Sequence, residues 1–370
     1  MVDIIPEKHR KGRGAVSNDS GRFESERRVR IDDGWGVNGA EGLGNSWQDT
    51  DELPTLRTTV MADTTKRIIT TNDSPDINFS QSINAYRGCE HGCTYCFARP
   101  THAYLGFSPG LDFETKLVAK FDAPQLLEQE LRNPRYQCEI IAMGTNTDPY
   151  QPIEREFRLT RGILEVMNRF NQPTGIVTKN ALVARDIDIL GPMAERQLAT
   201  VHLSVTSLDP QLARNMEPRA SAPHRRLAAI KALSSAGIPT GVMTAPLIPG
   251  LNDSELEDLL AAAWDAGARR AGYTLLRMPY EIKDLFAEWI QAYYPMKAKH
   301  VLNLIKETHG GRLNDPRWGS RMRGEGPYAE LVRSRFELAC RKIGFNKTRY
   351  HLDTTKFAPP PKEGDQLRLL

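Results

Sequence analysis

From about residue 80 the chain alternates short apolar runs with longer stretches of helical spacing. FSQSINAYRG, CEIIAMG, TGIVTKN, ATVHLSVTS, IPTGVMTAPLI and RRAGYTLLRMP read as six strands. PQLLEQELRN, RLTRGILEVMNRF, HRRLAAIKALSSAG and SELEDLLAAAWDAG read as helices between them. The last helix opens with Ser254 and Glu257 at capping-box spacing and closes at Gly267. Strand and helix in turn predict an α/β protein with a parallel sheet, a partial (β/α)6 barrel spanning residues 61–285. Such barrels carry function at the C-terminal ends of their strands. In the fourth run His202, Ser204 and Thr206 share one face by period two, and Val201, Leu203 and Val205 share the other. A polar inner row predicts a lumen that holds a ligand; otherwise the hydroxyls bond neighbouring backbone.

The flanks lack this rhythm. Residues 1–60, rich in Gly, Asp, Glu, Arg and Ser, show no sustained apolar period and are expected to form a mostly flexible, disordered N-terminal arm. Within it Phe23 and Trp35 are candidate pins onto the body, and the basic run from Lys8 to Arg13 either touches phosphates or is solvated. Residues 286–357 are expected to form a helical C-terminal extension, followed by a flexible tail over 358–370. The formal charge of +3 over 370 residues does not decide for a polyanionic partner, so local distribution has to. The extension is locally basic, with Arg312, Arg317, Arg321, Arg323, Arg333 and Arg335 interleaved with Trp318 and Tyr328. That composition suits nucleic acid, or a lid stapled by salt bridges. No apolar run approaches the roughly 18 residues of a membrane span, and the charged start lacks the apolar stretch of a secretory signal, so the expected location is cytoplasmic and off the membrane.

The chemistry concentrates in GCEHGCTYCFARP, where Cys89, Cys93 and Cys96 fall within eight residues and Tyr95 precedes the last. Three soft thiolates this close can share one metal centre and leave one coordination position open. His91 offers a Cys3His zinc site as an alternative, and a disulfide knot is disfavoured by the odd number. The C-x3-C and C-x2-C spacing, the aromatic residue and Gly88 and Gly92 resemble the radical S-adenosylmethionine (SAM) enzymes. That resemblance implies a 4Fe-4S cluster on the three cysteines, SAM on the remaining iron, and an electron donor such as flavodoxin or ferredoxin.

Within that class the stretch MEPRASAPHRRLAAIKALSSAGIPTGVMTAPLIPG, with its Glu217-Pro218 pair, Arg226 and Ala245-Pro246, resembles the spore photoproduct lyase group, described as DNA repair photolyase-like. The whole chain, with GRGAVSNDSGRFE and GTNTDPYQPIERE, resembles an uncharacterised bacterial family within it. The resemblance implies that Lys179 faces the SAM carboxylate, Tyr95 packs beside cluster and adenosine, Ser204 reaches the ribose region, and Thr145 with Asn146 meets the methionine amino group. Each is otherwise an ordinary turn or strand residue. It also exposes departures. The lyase's hydrogen-donating cysteine falls at Met143-Gly144-Thr145, and Phe97 replaces its second tyrosine. Cys138 lies about 20 Å away at about 3.3 Å per residue and reads, like Cys340, as a small buried hydrophobe. Lesion reversal of the lyase kind is therefore not expected. Tyr150, in TDPYQPIERE beside Asp148, Gln151 and Glu154, is the candidate hydrogen donor, unless that loop only packs on its own polar side chains.

Two function classes result: a radical SAM enzyme acting on an unidentified substrate, with nucleic acid the candidate, or an iron-sulfur or zinc adaptor that does not turn SAM over. The tail adds a partner. Gln366, Leu367, Leu369 and Leu370 resemble the short peptides that dock on the bacterial DNA sliding clamp, though the match lacks the terminal phenylalanine of the strongest form and the leucines can instead fold back on the barrel.

Overall fold

Among the described residues ten strands form: β1 (Thr59–Ala62), β2 (Ile69–Thr71), β3 (Gln81–Ile83), β4 (Tyr86–Arg87), β5 (Lys116–Ala119), β6 (Ile141–Met143), β7 (Thr174–Thr178), β8 (Ala199–Ser204), β9 (Thr240–Leu247) and β10 (Arg270–Leu275). The helices are α1 (Asp112–Thr115), α2 (Ala123–Leu131), α3 (Glu154–Phe157), α4 (Leu159–Phe170), α5 (Ile187–Glu195), α6 (Pro210–Met216), α7 (Pro223–Ser235), α8 (Leu256–Asp265), α9 (Ile282–Tyr293), α10 (Pro295–Glu307) and α11 (Pro327–Ile343). They come from a computed structural model that describes residues 10–26, 56–348 and 350–361; Trp35 and the segment Gln366–Leu370 lie outside the described residues.

The large sheet has the order β10-β9-β8-β7-β6-β3-β2. Its strands from β3 to β10 pair in parallel, and only the edge strand β2 runs antiparallel, against β3. Those six parallel strands are the six apolar runs of the sequence in chain order, so the expected partial (β/α)6 arrangement forms. Register sets the lumen. Ser82, Ala142, Gly175 and Thr200 form one row across the sheet, and Val177, His202, Gly241 and Arg270 form the next. On the other face Val201 and Leu203 are fully buried in the main core with Leu164, Met167 and Leu190 of the covering helices. Ala142, Gly175 and Gly241 add little bulk to these inner rows, and Val177, in a central strand, is 38% exposed.

A second sheet, β1-β5-β4, delivers the chain from β4 straight into the cysteine loop. The C-terminal helices pack rather than dangle. Trp289 and Phe286 of α9 and Val301 of α10 join Ala15, Cys93, Tyr95 and Met216 in a second apolar core under that loop. Helix α11 adds Val332 and Phe336 to the main core.

One sequence expectation is sharpened and another corrected. Within the N-terminal arm, residues 10–26 lie on the body: Arg13, Ala15 and Ser17 are buried, and Phe23 meets Tyr104 with ring centroids 5.0 Å apart, the contact a pin would make. The segment shows no apolar period because hydrogen bonds to a buried carboxylate hold it, not an apolar face. The capping box at Ser254 and Glu257 does not form. Ser254 lies in a 3-10 turn, Asp253–Glu255, and the Glu257 carboxylate is drawn to Arg335 of α11 at 2.6 Å. Gly267 does close α8, at φ 107.

Candidate active site

The cysteine loop needs two left-handed turns, and Gly88 (φ 76) and Gly92 (φ 68) supply them. A Cβ on Gly92 would also stand 2.8 Å from Glu114 Oε2, which shows how tightly the loop sits on its floor. Glu114, wholly buried, is the hub of that floor. Its carboxylate accepts from the Gly14 amide at 2.9 Å, the Ala15 amide at 2.8 Å and Arg99 Nη2 at 2.5 Å. Arg99 in turn donates to the Cys93 carbonyl at 2.8 Å and the Gly110 carbonyl at 2.9 Å. From the side, Gln151 accepts from the Glu90 amide at 2.9 Å and donates to the Gly88 carbonyl at 3.2 Å. The Glu90 carboxylate accepts from the Thr58 hydroxyl at 2.6 Å and pairs with Arg219 at 3.1 Å.

Cys89 and Cys93 are buried, Cys96 is half-buried, and all three are free. Burial pushes the Cys89 and Cys93 thiols up, aided by Asp148 for the first and by Glu217 for the second. Thiols so placed ionise when a cation compensates them, which is the donor chemistry of a metal cluster. His91 does not complete a Cys3His set. Its Nδ1 lies 3.4 Å from Asp148 Oδ2, and its Nε2 lies 3.3 Å from Asn180 Nδ2, so both ring nitrogens are engaged. Burial pushes the Asp148 carboxyl up, but His91, the Lys179 amide at 2.7 Å and the Thr178 hydroxyl at 2.7 Å outweigh it and hold the group down at about 2.

On the lumen side Tyr95, Lys179 and Ser204 come together as expected. Lys179 Nζ donates to Ser204 Oγ at 3.0 Å and stands 5.8 Å from the Tyr95 ring centroid, and Ser204 donates to the Ala245 carbonyl at 3.0 Å. Tyr95 donates its phenolic hydrogen to the buried Glu217, which also accepts from Thr206 at 2.9 Å and from Arg226. Arg226 also ties the Ser204 carbonyl at 2.9 Å. Burial raises Glu217, and Arg226, Lys179 and the hydrogen bonds from Tyr95 and Arg226 reverse it, so its carboxylate is charged beside Cys93. Thr145 and Asn146 sit at the end of β6 under Asn84, which donates to Thr145 Oγ1 at 3.1 Å and accepts from the Asn146 amide at 3.0 Å. Tyr150 is not part of this group. It is fully buried, and its phenol donates to Asp186 at 3.1 Å, which is also held by Arg161 and Arg185 at 2.9 Å and 2.8 Å.

Residues 83–263 match the family model described as the radical SAM superfamily. The chain carries a radical SAM domain. Its cofactors are a 4Fe-4S cluster and SAM. Spore photoproduct lyase complexed with dinucleoside spore photoproduct superposes on this radical SAM fold with a TM-score of 0.54 at 16% identity, covering 77% of this chain and 80% of that one. A mutant of that lyase with bound AdoMet and dinucleoside spore photoproduct gives the same TM-score at 15% identity and the same coverage. An uncharacterised protein of Mycobacterium tuberculosis strain H37Rv is 39% identical over 219 residues, 59% of this chain and 64% of the relative. One of Methanocaldococcus jannaschii is 31% identical over 173 residues, 47% of this chain and 62% of the relative. The chain thus spans less than two thirds of the curated relatives it matches.

Sequence reasoning missed Glu114 and Arg99, the floor of the cysteine loop, and noticed Glu217 and Arg226 only as residues of a resemblance. The signal for Glu114 was faint: a carboxylate inside the apolar stretch LDFETKLVA, just before β5.

Proposed function

We propose that this protein is a radical SAM enzyme whose substrate is nucleic acid, with chemistry distinct from photoproduct reversal. The cluster residues are Cys89, Cys93 and Cys96, and the SAM residues are Tyr95, Thr145, Asn146, Lys179 and Ser204. The observation that carries this reading is the contact of Lys179 Nζ with Ser204 at 3.0 Å, beside Tyr95 and Cys93 and at the C-terminal ends of β7 and β8. Among the described residues Lys179 makes no ion pair at salt-bridge distance, with Glu217 acting on it only from farther off, and a cation so placed fits the carboxylate of SAM. When bound and reduced by one electron from a flavodoxin or ferredoxin, the two cofactors supply methionine and a 5'-deoxyadenosyl radical that takes a hydrogen atom from the substrate.

The chain's own residues do the rest. Glu217 and Arg226 fix the Tyr95 ring against Cys93, and the floor around Glu114 fixes the cysteine loop. Phe286, Trp289 and Met278 keep water from its underside. Photoproduct reversal is set aside on one further observation. Within Met143-Gly144-Thr145, the stretch to which the resemblance assigns the lyase's cysteine, Gly144 stands with φ 90, and a Cβ there would lie 2.0 Å from the Val177 carbonyl oxygen. Tyr150 does not replace that cysteine, because Asp186 holds its phenolic hydrogen away from the lumen.

The test is anaerobic reconstitution followed by reduction. Broad absorbance near about 400 nm and release of 5'-deoxyadenosine are the expected results. Iron uptake without 5'-deoxyadenosine release overturns the enzyme and leaves the adaptor.

A further inference from the structure

We propose that the rim of the barrel mouth is a docking track for single-stranded nucleic acid, built from three arginine-aromatic pairs. The proposal rests on the radical SAM reading and names the form in which its substrate arrives. Arg277 stands over Phe97 at 5.7 Å, Arg22 over Tyr280 at 3.8 Å, and Arg321 over Trp318 at 4.1 Å. The three rings are 50%, 59% and 55% exposed, respectively, although large aromatics ordinarily bury their surface. Phe97 follows the cluster residue Cys96 directly, and Arg277 lies two residues past the end of β10, so the middle pair opens onto the site itself.

Two observations separate this rim from scattered surface residues. The first is charge. Arg22 is paired with Glu281 at 2.6 Å, and Arg321 is held by Asp76 and by Ser74 at 2.9 Å, so each is fixed as a platform. Arg277 differs. Its Nε is buried without a hydrogen-bond partner among the described residues, and burial together with the neighbouring Arg321 lowers its pKa. Asp76, already committed to Arg321, offsets this only in part, so the unbonded Nε–H suits an anion from outside. The second is backbone strain. Tyr280 sits at φ 52, a left-handed conformation that a bulky residue rarely adopts, and its ring is held exposed at the mouth.

Exposed rings beside cations take unpaired bases and their phosphates. A duplex keeps its bases stacked inside and offers only phosphate, which leaves the three rings without a role. An acidic peptide also supplies negative charge but nothing that needs flat, separated aromatic faces.

The experiment is a fluorescence-anisotropy titration of the full chain with a labelled thymidine strand of about 12 nucleotides, repeated with the same length of duplex and with poly-glutamate. The single strand should bind most tightly. Phe97→Ala, Tyr280→Ala and Trp318→Ala should each weaken it about fivefold or more, the loss of one stacked base. Arg277→Gln should lower the slope of log affinity against log salt by about 0.7, the release from one phosphate of a single strand. Equal binding of strand, duplex and poly-glutamate, tighter binding of poly-glutamate, aromatic variants with unchanged affinity, or no binding at low salt would each overturn the track. The two readings fail separately. Absent strand binding with 5'-deoxyadenosine release intact removes the track alone. Strand binding without any 5'-deoxyadenosine release removes the radical SAM activity.

Discussion

The cysteine loop and the lumen it faces follow opposite rules. Under the loop, charge is buried and paired: Arg99 and Glu114 are wholly inaccessible, and each makes several hydrogen bonds. Across the lumen the rows are Ser82, Ala142, Gly175 and Thr200, then Val177, His202, Gly241 and Arg270, with little bulk to fill the space. A buried ion pair adds little net stability because desolvation offsets attraction, but breaking one partner is costly. Such pairs under the loop therefore fix where three ligands stand. The lumen side holds its polar groups more loosely: Lys179 is half-buried and bonds Ser204 at 3.0 Å.

The largest expected effect lies on the loop. Cys89→Ala, Cys93→Ala or Cys96→Ala should each abolish iron binding, whereas Cys138→Ala and Cys340→Ala should leave it intact. Cys138 lies just before β6, at the other end of the strand from the mouth, with its sulfur 3.5 Å from Gln172, and Cys340 packs in α11. Equal iron loss in the Cys138 variant would show that the ligand set is wrong. Next comes Glu114→Ala, which strands Arg99 and releases Gly14 and Ala15. It should cost about 3–5 kcal/mol, read as a lower urea midpoint in the metal-free protein. An unchanged midpoint would mean that the floor is not what holds the loop. On the lumen side Lys179→Ala should weaken SAM about tenfold, as expected for one charge-assisted hydrogen bond, and spare the iron content. Equilibrium binding that matches the unaltered protein would remove Lys179 from the SAM site.

The same contrast explains what was legible in the sequence. The six parallel strands and four of the helices between them follow from local periodicity, and the cysteine cluster from spacing within eight residues. Tyr95, Lys179 and Ser204 were singled out because a resemblance tied them to those cysteines, and the structure brings them near one another. The floor was not reachable. Gly14 meets Glu114 across 100 residues, and neither the glycine nor the carboxylate belongs to a periodic pattern. Charge counting could not decide the extension for a related reason. Of the arginines that make the extension basic, Arg317 pairs with Asp315 and Glu325, Arg321 with Asp76, and Arg335 with Glu257. Those pairs support the stapled lid for much of the extension, whereas among the described residues Arg277, outside it, has a buried Nε without a hydrogen-bond partner.

The smallest expected effect separates the two regions by pH. His202 stands in the lumen row, its Cδ2 only 2.3 Å from where a Cβ on Gly241 would be, so its ring covers that glycine. Burial, then Arg270, lowers its pKa from 6.5 to about 4. The folded state therefore prefers the neutral ring. Its contribution to stability is complete above the unfolded value and is lost as pH falls from about 6.5 towards about 4. Between pH 8 and pH 6 this amounts to about 1 kcal/mol, and His202→Gln should remove that slope. Asp148, beside the cysteine loop, acts lower: its contribution is present above about pH 4 and is lost as pH falls towards about 2. Acid titration of stability should thus show the lumen weakening before the loop does. The direct check is the pKa of His202 by NMR. A value near 6.5 would mean that bulk water reaches the ring, and the lumen would then be an open cleft rather than a chamber that sets aside dry space for a radical.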